Sequence, residues 1–214
     1  QISCGMNLQC LVLAKSLRLE VWDSNVNVAE KDTEDGPKME KKLDIPIRGR
    51  VVTLCAYKPQ VLDPRKTNPN DLEYLLYTTE RKRYAVIAYN PTTKEVETKA
   101  FGSFRDSVGR EKSGAPICIV DPSARIVIVQ FYDGFLKIVP LCPRSGVIRD
   151  LDAYNVRLLE NSALSMCFLN GSSSPTPTGQ RKADHDESQS TCNPVISLLY
   201  QDSDNEFRAS TYVV

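Results

Sequence analysis

Short apolar runs recur along the chain, and their internal period is two. Leu17-Arg18-Leu19-Glu20-Val21-Trp22 alternates apolar and polar side chains, as a strand with one buried face does. Runs rich in Val, Ile, Tyr, Phe and Thr follow at 51–57, 73–79, 84–89, 94–101, 116–120, 126–131 and 135–140. Others lie at 163–169, 195–200 and 207–213. No long stretch carries the 3.6-residue period of an amphipathic helix. An all-β chain is predicted.

The turns support this. Asp133-Gly134 lies between two apolar runs, a strong hairpin signal because a type I′ turn demands positive φ. Asn90-Pro91-Thr92-Thr93 and Asp121-Pro122-Ser123 separate other pairs. Strands arriving through tight turns roughly every 10 to 15 residues predict a sandwich, barrel or propeller. Two segments break the pattern. Residues 30–42 (EKDTEDGPKMEKK) form a mixed-charge run, read as a solvated loop. Residues 170–194 are Ser- and Pro-rich and then highly charged, read as a disordered polar insertion between two strands.

Composition narrows the chemistry. Among 214 residues, 27 Lys and Arg balance 27 Asp and Glu, which argues against bulk electrostatic binding to nucleic acid or anionic membrane. Local basic groups, Arg48-Gly49-Arg50 and Arg81-Lys82-Arg83, sit between strands and read as solvated charges at turns. The single histidine, His185, lies in the polar insertion, where no base is rigidly held, so Ser-His-Asp and Cys-His sites are excluded. Its neighbours Asp184, Asp186 and Glu187 read as a solvated acidic loop, not a metal site. The seven cysteines form no C-x-x-C pair. Cys10, Cys55, Cys118 and Cys167 lie in apolar segments and are expected to be core thiols in a reducing, intracellular compartment. The apolar run 8–14 is too short for a membrane span, so a soluble protein is expected. The glycines of Gly102 to Ser113 are too far apart for a phosphate loop, and no helix pattern follows them. Asn170-Gly171-Ser172 matches a glycosylation sequon, which free thiols make irrelevant. No catalytic, cofactor-binding or metal-ligating residue is assigned.

Several longer stretches, in one order, resemble a known family. They are 11–22, Asp106-Ser107-Val108-Gly109-Arg110, Asp121 to Arg125, and Phe131-Tyr132-Asp133-Gly134-Phe135-Leu136-Lys137-Ile138-Val139-Pro140-Leu141. Asn155 to Glu160 and Leu199 to Asp202 complete the set. The chain is similar through them to the family of the large subunit of the UV-damaged DNA-binding complex. That family is shared with propeller subunits of the cleavage-and-polyadenylation factor and of a splicing factor. The segments 172–192 and 30–42 depart from its pattern.

The resemblance implies three seven-bladed, WD40-like β-propellers in a long chain, with residues 1–214 covering part of the N-terminal one. A four-stranded blade takes roughly 40 to 60 residues, which gives about four blades. Open blades would leave an apolar flank uncovered, so a fragment or an incomplete gene product is expected.

By the same resemblance the protein is not an enzyme. It is a protein-interaction scaffold, an adaptor linking WD40-type substrate receptors to a cullin-RING ubiquitin ligase in DNA damage recognition and nucleotide-excision repair. It works in the nucleus and also in the cytoplasm, needs no cofactor, and reaches nucleic acid mainly through partners. The cullin itself would be held by a propeller outside this chain. The alternative is a nuclear pre-mRNA processing scaffold that binds nucleic acid. Candidate surfaces are the blade-end loops Arg105 to Ser113 and Arg81 to Arg83.

Overall fold

A computed structural model describes residues 2–6, 8–24, 39–59, 73–90, 95–104, 106–143, 145–160, 163–169 and 193–214. These residues form four antiparallel meander sheets, each built from strands that follow one another in the chain. Blade 1 comprises β1 (Ile2–Met6), β2 (Leu8–Lys15), β3 (Arg18–Ser24) and β4 (Met39–Pro46). Blade 2 comprises β5 (Val51–Tyr57), β6 (Tyr74–Thr79), β7 (Arg83–Asn90) and β8 (Glu95–Ser103). Blade 3 comprises β9 (Ile117–Val120), β10 (Ile126–Tyr132), β11 (Phe135–Pro140) and β12 (Tyr154–Arg157). Blade 4 has three strands, β13 (Ala163–Phe168), β14 (Val195–Gln201) and β15 (Phe207–Val213).

The first strands of successive sheets are neighbours: β1 lies beside β5, β5 beside β9, and β9 beside β13. Sheets stacked face to face with their first strands forming an inner row are the arrangement of a β-propeller. The all-β, propeller-type expectation therefore holds, with four blades in this chain.

The period of two now acquires a partner for each face. On β6, Leu76 packs toward blade 3 while Leu75 packs toward blade 1. On β10, Val127, Val129 and Phe131 face blade 2, and Ile128 between them faces blade 4. Middle strands are buried on both faces, so they read as nearly continuous apolar runs. Outer strands are not: all four residues of β12 are exposed, and the first four of β4 as well. This corrects one expectation. Residues 39–42 of the charged run are strand, paired with β3 from Trp22 to Ser24, and look like loop because an outermost strand shows solvent on both sides. Residues 30–38 of that run, residues 170–192 of the polar insertion and residues 91–93 of a predicted turn lie outside the described residues.

Two local expectations also need revision. Gly134 has φ 74° in the 133–134 hairpin, but Asp133 does not have positive φ, so the turn is not type I′. A bulge between Val129 and Tyr132 supplies the extra twist that the other turn type lacks. Cys167, expected in the core, is exposed on β13, because β13 packs only one face against blade 3.

Asp121 is anchored at the opposite end of blade 3 from that hairpin. Its carboxylate accepts from Arg125 Nε at 2.6 Å and Nη2 at 3.2 Å, and its own amide donates to Ile126. This fork lets Ala124 hold φ 48° in the turn.

Gln130 on β10 is fully buried, and its amide nitrogen and oxygen have no hydrogen-bond partner among the described residues. An unpaired buried amide lowers stability. Gln130→Met, nearly the same size, is expected to raise stability by about 1–2 kcal/mol, read as a higher urea midpoint. An unchanged or lower midpoint would show that the amide is satisfied in solution.

Candidate interaction surface at the blade-end loops

An up-and-down meander sends each second-to-third strand hairpin to the same end as the connection to the next blade. Backbone hydrogen bonds tie these pieces together. Ile47 N donates to Leu17 O, Glu80 N to Arg50 O, Phe104 N to Lys82 O, Asp133 N to Arg110 O and Leu158 N to Gly134 O, all within 2.8–3.0 Å. The three basic or loop segments singled out in the sequence, 48–50, 81–83 and 105–113, therefore share one end of the molecule. Arg105 itself lies outside the described residues.

Lys82 joins two of them. Its Nζ donates to Glu111 Oε1 at 2.6 Å and to the Tyr132 hydroxyl at 2.8 Å, and lies 4.5 Å from the centre of the Tyr132 ring. These bonds hold its ammonium above the usual lysine range, the Glu111 bond contributing most. Its backbone adopts φ 56°, which the tight β6–β7 turn requires and which Lys82 O stabilises by accepting from Phe104. A short bridge pairs Glu111 with Tyr132 along the backbone as well.

Asp106 is the second hub. Its Oδ2 accepts from Lys137 Nζ and from Asn155 Nδ2, each at 2.6 Å, and its carbonyl accepts from the Tyr132 hydroxyl at 2.8 Å. Burial pushes its carboxyl pKa up, but the Lys137 and Asn155 bonds outweigh burial and hold it below the usual range. Lys137 is held under this hub with only 13% of its side chain exposed. Below it lies a ring stack: Phe104 stacks on Tyr84 with centroids 4.8 Å apart and tilts against Phe131 at 5.9 Å. Lys112, beyond Glu111, reaches blade 4 through a 2.6 Å bond to Ala163 O.

Three of the stretches that carried the family resemblance thus converge here. Asp106, Tyr132, Lys137 and Asn155 come from the 106–110, 131–141 and 155–160 stretches. Their role in the structure is to brace the loop between β8 and β9 against blade 3. Sequence reasoning did not assign Tyr132, Lys137 or Asn155. The available signal was that three separate motifs each carried a polar residue within an otherwise apolar frame.

What the braced end presents to solvent is basic. Arg48, Arg50, Arg81, Arg83, Arg110 and Arg157 are exposed, with no ion-pair partner among the described residues. At this end Glu111, Asp106 and Asp44 are paired with Lys82, Lys137 and Arg18, and Glu160 is held by Tyr212. That leaves Glu80 and Asp133 on blades 1–3, beside the acidic β14–β15 hairpin of blade 4 with Asp202, Asp204 and Glu206. The two basic groups expected to be scattered turn charges therefore form one surface. Among the described residues no group of three or more His, Cys, Asp or Glu is placed to hold a metal ion, and no helix is long and apolar enough to cross a membrane. The arrangement suits binding: guanidiniums carried on a rigid scaffold can pair with carboxylates or phosphates without reordering of the backbone.

Comparison with known proteins agrees with the fold. Residues 4–214 match the family described as RSE1/DDB1/CPSF1 first beta-propeller. The chain is 29% identical over 204 residues to DNA damage-binding protein 1a of Arabidopsis thaliana, covering 95% of this chain and 15% of that protein. It is 29% identical over 204 residues to DNA damage-binding protein 1 of Solanum lycopersicum, with the same shares. To DNA damage-binding protein 1 of Oryza sativa subsp. japonica it is 28% identical over 210 residues, covering 98% of this chain and 16% of that one. The chain thus spans about one-seventh of the length of these relatives.

Proposed function

We propose a function from the premise that this chain belongs to the RSE1/DDB1/CPSF1 first β-propeller family: it is a non-catalytic scaffold that docks partner proteins in DNA damage recognition. The relatives reported above carry the name DNA damage-binding protein, which favours this branch over the RNA-processing branch. In the finer reading, the protein is an adaptor that holds WD40-type substrate receptors for a cullin-RING ubiquitin ligase in the nucleus. Contact with nucleic acid then runs through those receptors, in keeping with zero net charge.

The observation that carries a docking role for this chain is the braced basic end. Arg81 and Arg110 sit on loops joined by the Lys82–Glu111 clasp, and Arg83 and Arg157 sit at strand ends beside them. Arg48 and Arg50 lie on the β4–β5 connection at the same end, so an acidic segment of a partner meets a preformed positive surface. The test is capture of the intact protein from its own cells after UV irradiation, with the bound proteins identified. A cullin and WD40-type receptors are expected; polyadenylation or splicing factors in their place would move the protein to the other branch. Replacing Arg81, Arg83 and Arg110 together by Glu is expected to lower receptor affinity at least tenfold, about 1.4 kcal/mol, mainly through slower association. The loss should shrink as salt is raised. Unchanged affinity with an intact fold would remove this surface from the interface.

A further inference from the structure

The inner strands of blades 2 and 3 each bring one thiol to the seam between them. Cys55 lies in the middle of β5 and Cys118 near the start of β9, 63 positions apart in the chain. Cys55 Sγ donates to the Cys118 carbonyl oxygen at 3.1 Å, and each thiol shifts the titration of the other across the seam. Thr53, two residues before Cys55 and so on the same face of β5, has its hydroxyl 2.6 Å from Thr78 Oγ1. Both cysteines are free and half-buried on the inner row of strands.

We propose that Cys55 and Cys118 form a dithiol modification site, which peroxides close to a disulfide joining blade 2 to blade 3. Cys55 is the attacking sulfur. Its thiolate displaces one oxygen of the peroxide, so that an S–O bond forms, the O–O bond breaks, and hydroxide leaves as water with the thiol proton. The Cys118 sulfur then attacks the resulting sulfenic acid; the S–S bond forms, the S–O bond breaks, and a second water leaves with the Cys118 proton. The two thiols lose two electrons and the peroxide gains them. Exchange with a small thiol reverses the change.

The polarity of the pair matches these roles. The Cys118 thiol across the seam holds the Cys55 thiol below the usual cysteine range. The Cys55 thiol and burial hold Cys118 above it. The exposed Cys167, for which no thiol neighbour is present among the described residues, is the internal control.

The experiment treats the intact protein with limiting hydrogen peroxide, blocks remaining thiols by alkylation and maps peptides without reductant. The expected result is a linked Cys55–Cys118 peptide pair, two hydrogens lighter than the sum of its parts, which separates with dithiothreitol. Phenylarsine oxide, which bridges two adjacent thiols, is expected to protect both from alkylation. In Cys118→Ser, Cys55 should accumulate as a sulfenic acid trapped by dimedone. The proposal is overturned if both thiols stay alkylatable at a peroxide dose that has already oxidised Cys167, or if Cys55 passes to sulfinic acid with no cross-link. The wild-type map decides the matter even where the serine variant does not fold.

Discussion

Phe104→Ala is expected to lose about 3–5 kcal/mol of stability, the cost of removing a buried ring where the neighbours cannot close the gap. Phe104 is 4% exposed and stands where β8 leaves the sheet, between Tyr84 of blade 2 and Phe131 of blade 3. Both neighbours are fixed by their own strands, so neither can move far into the space. The ring also lies under Lys137, whose Nζ is 6.0 Å from its centre, and its backbone amide caps the turn at Lys82. Phe104→Leu, which keeps most of the volume, should cost only about 1–2 kcal/mol. Urea unfolding with an unchanged slope is the measurement. A loss under about 1 kcal/mol for the alanine variant would mean that the seam of blades 2 and 3 does not depend on this ring.

The contrast between Phe104 and the residues around it shows what could be read from the chain alone. Strands β5, β11 and β15 match their apolar runs end to end, because alternation within a strand is a local property. The inner and middle strands of blades 2–4 were legible for the same reason, although burial on both faces hid which neighbour each side chain would meet. In contrast, β1 (Ile2–Met6) was not among the apolar runs. Two outermost strands were not legible either: Tyr154–Arg157 is exposed throughout, and Met39–Pro46 begins with four exposed residues, so neither carries a hydrophobic signal. The surface was harder still. Arg50 and Arg81 are joined through Glu80, and Lys82 meets Glu111 only because β7, β8 and the following loop return the chain to the same end. Taken singly, each basic group looked like any charged turn. Blade periodicity decides that they add up. The family-like stretches 106–110, 131–141 and 155–160 were visible, but their common purpose was not, since it resides in the contacts of Asp106. Cys55 and Cys118 likewise read as two unrelated core thiols until the inner strands of two blades are set side by side.

Asp106→Ala should cost about 2–3 kcal/mol near neutral pH, because it strands the ammonium of Lys137 in a site that is mostly closed to water. The loss has a sign in pH. The Asp106 carboxyl is held below its ordinary range in the folded protein, so ionisation favours folding. That contribution is complete above the unfolded carboxylate pKa and is lost as pH falls through the lower folded value. Wild type and Asp106→Asn should therefore differ clearly near neutrality and converge in strong acid, where the wild-type group is protonated too. A difference that stays constant across this window would place the effect in packing, not in charge. A double variant separates the two terms again. Removing the stranded charge in Asp106→Ala/Lys137→Met should recover part of the loss, since an apolar side chain in that site costs less than an unpaired ammonium. If the double variant is instead as unstable as the sum of the two single ones, Lys137 and Asp106 act independently, and the brace beneath the basic loops must come from the Phe104 stack and the Lys82 clasp alone.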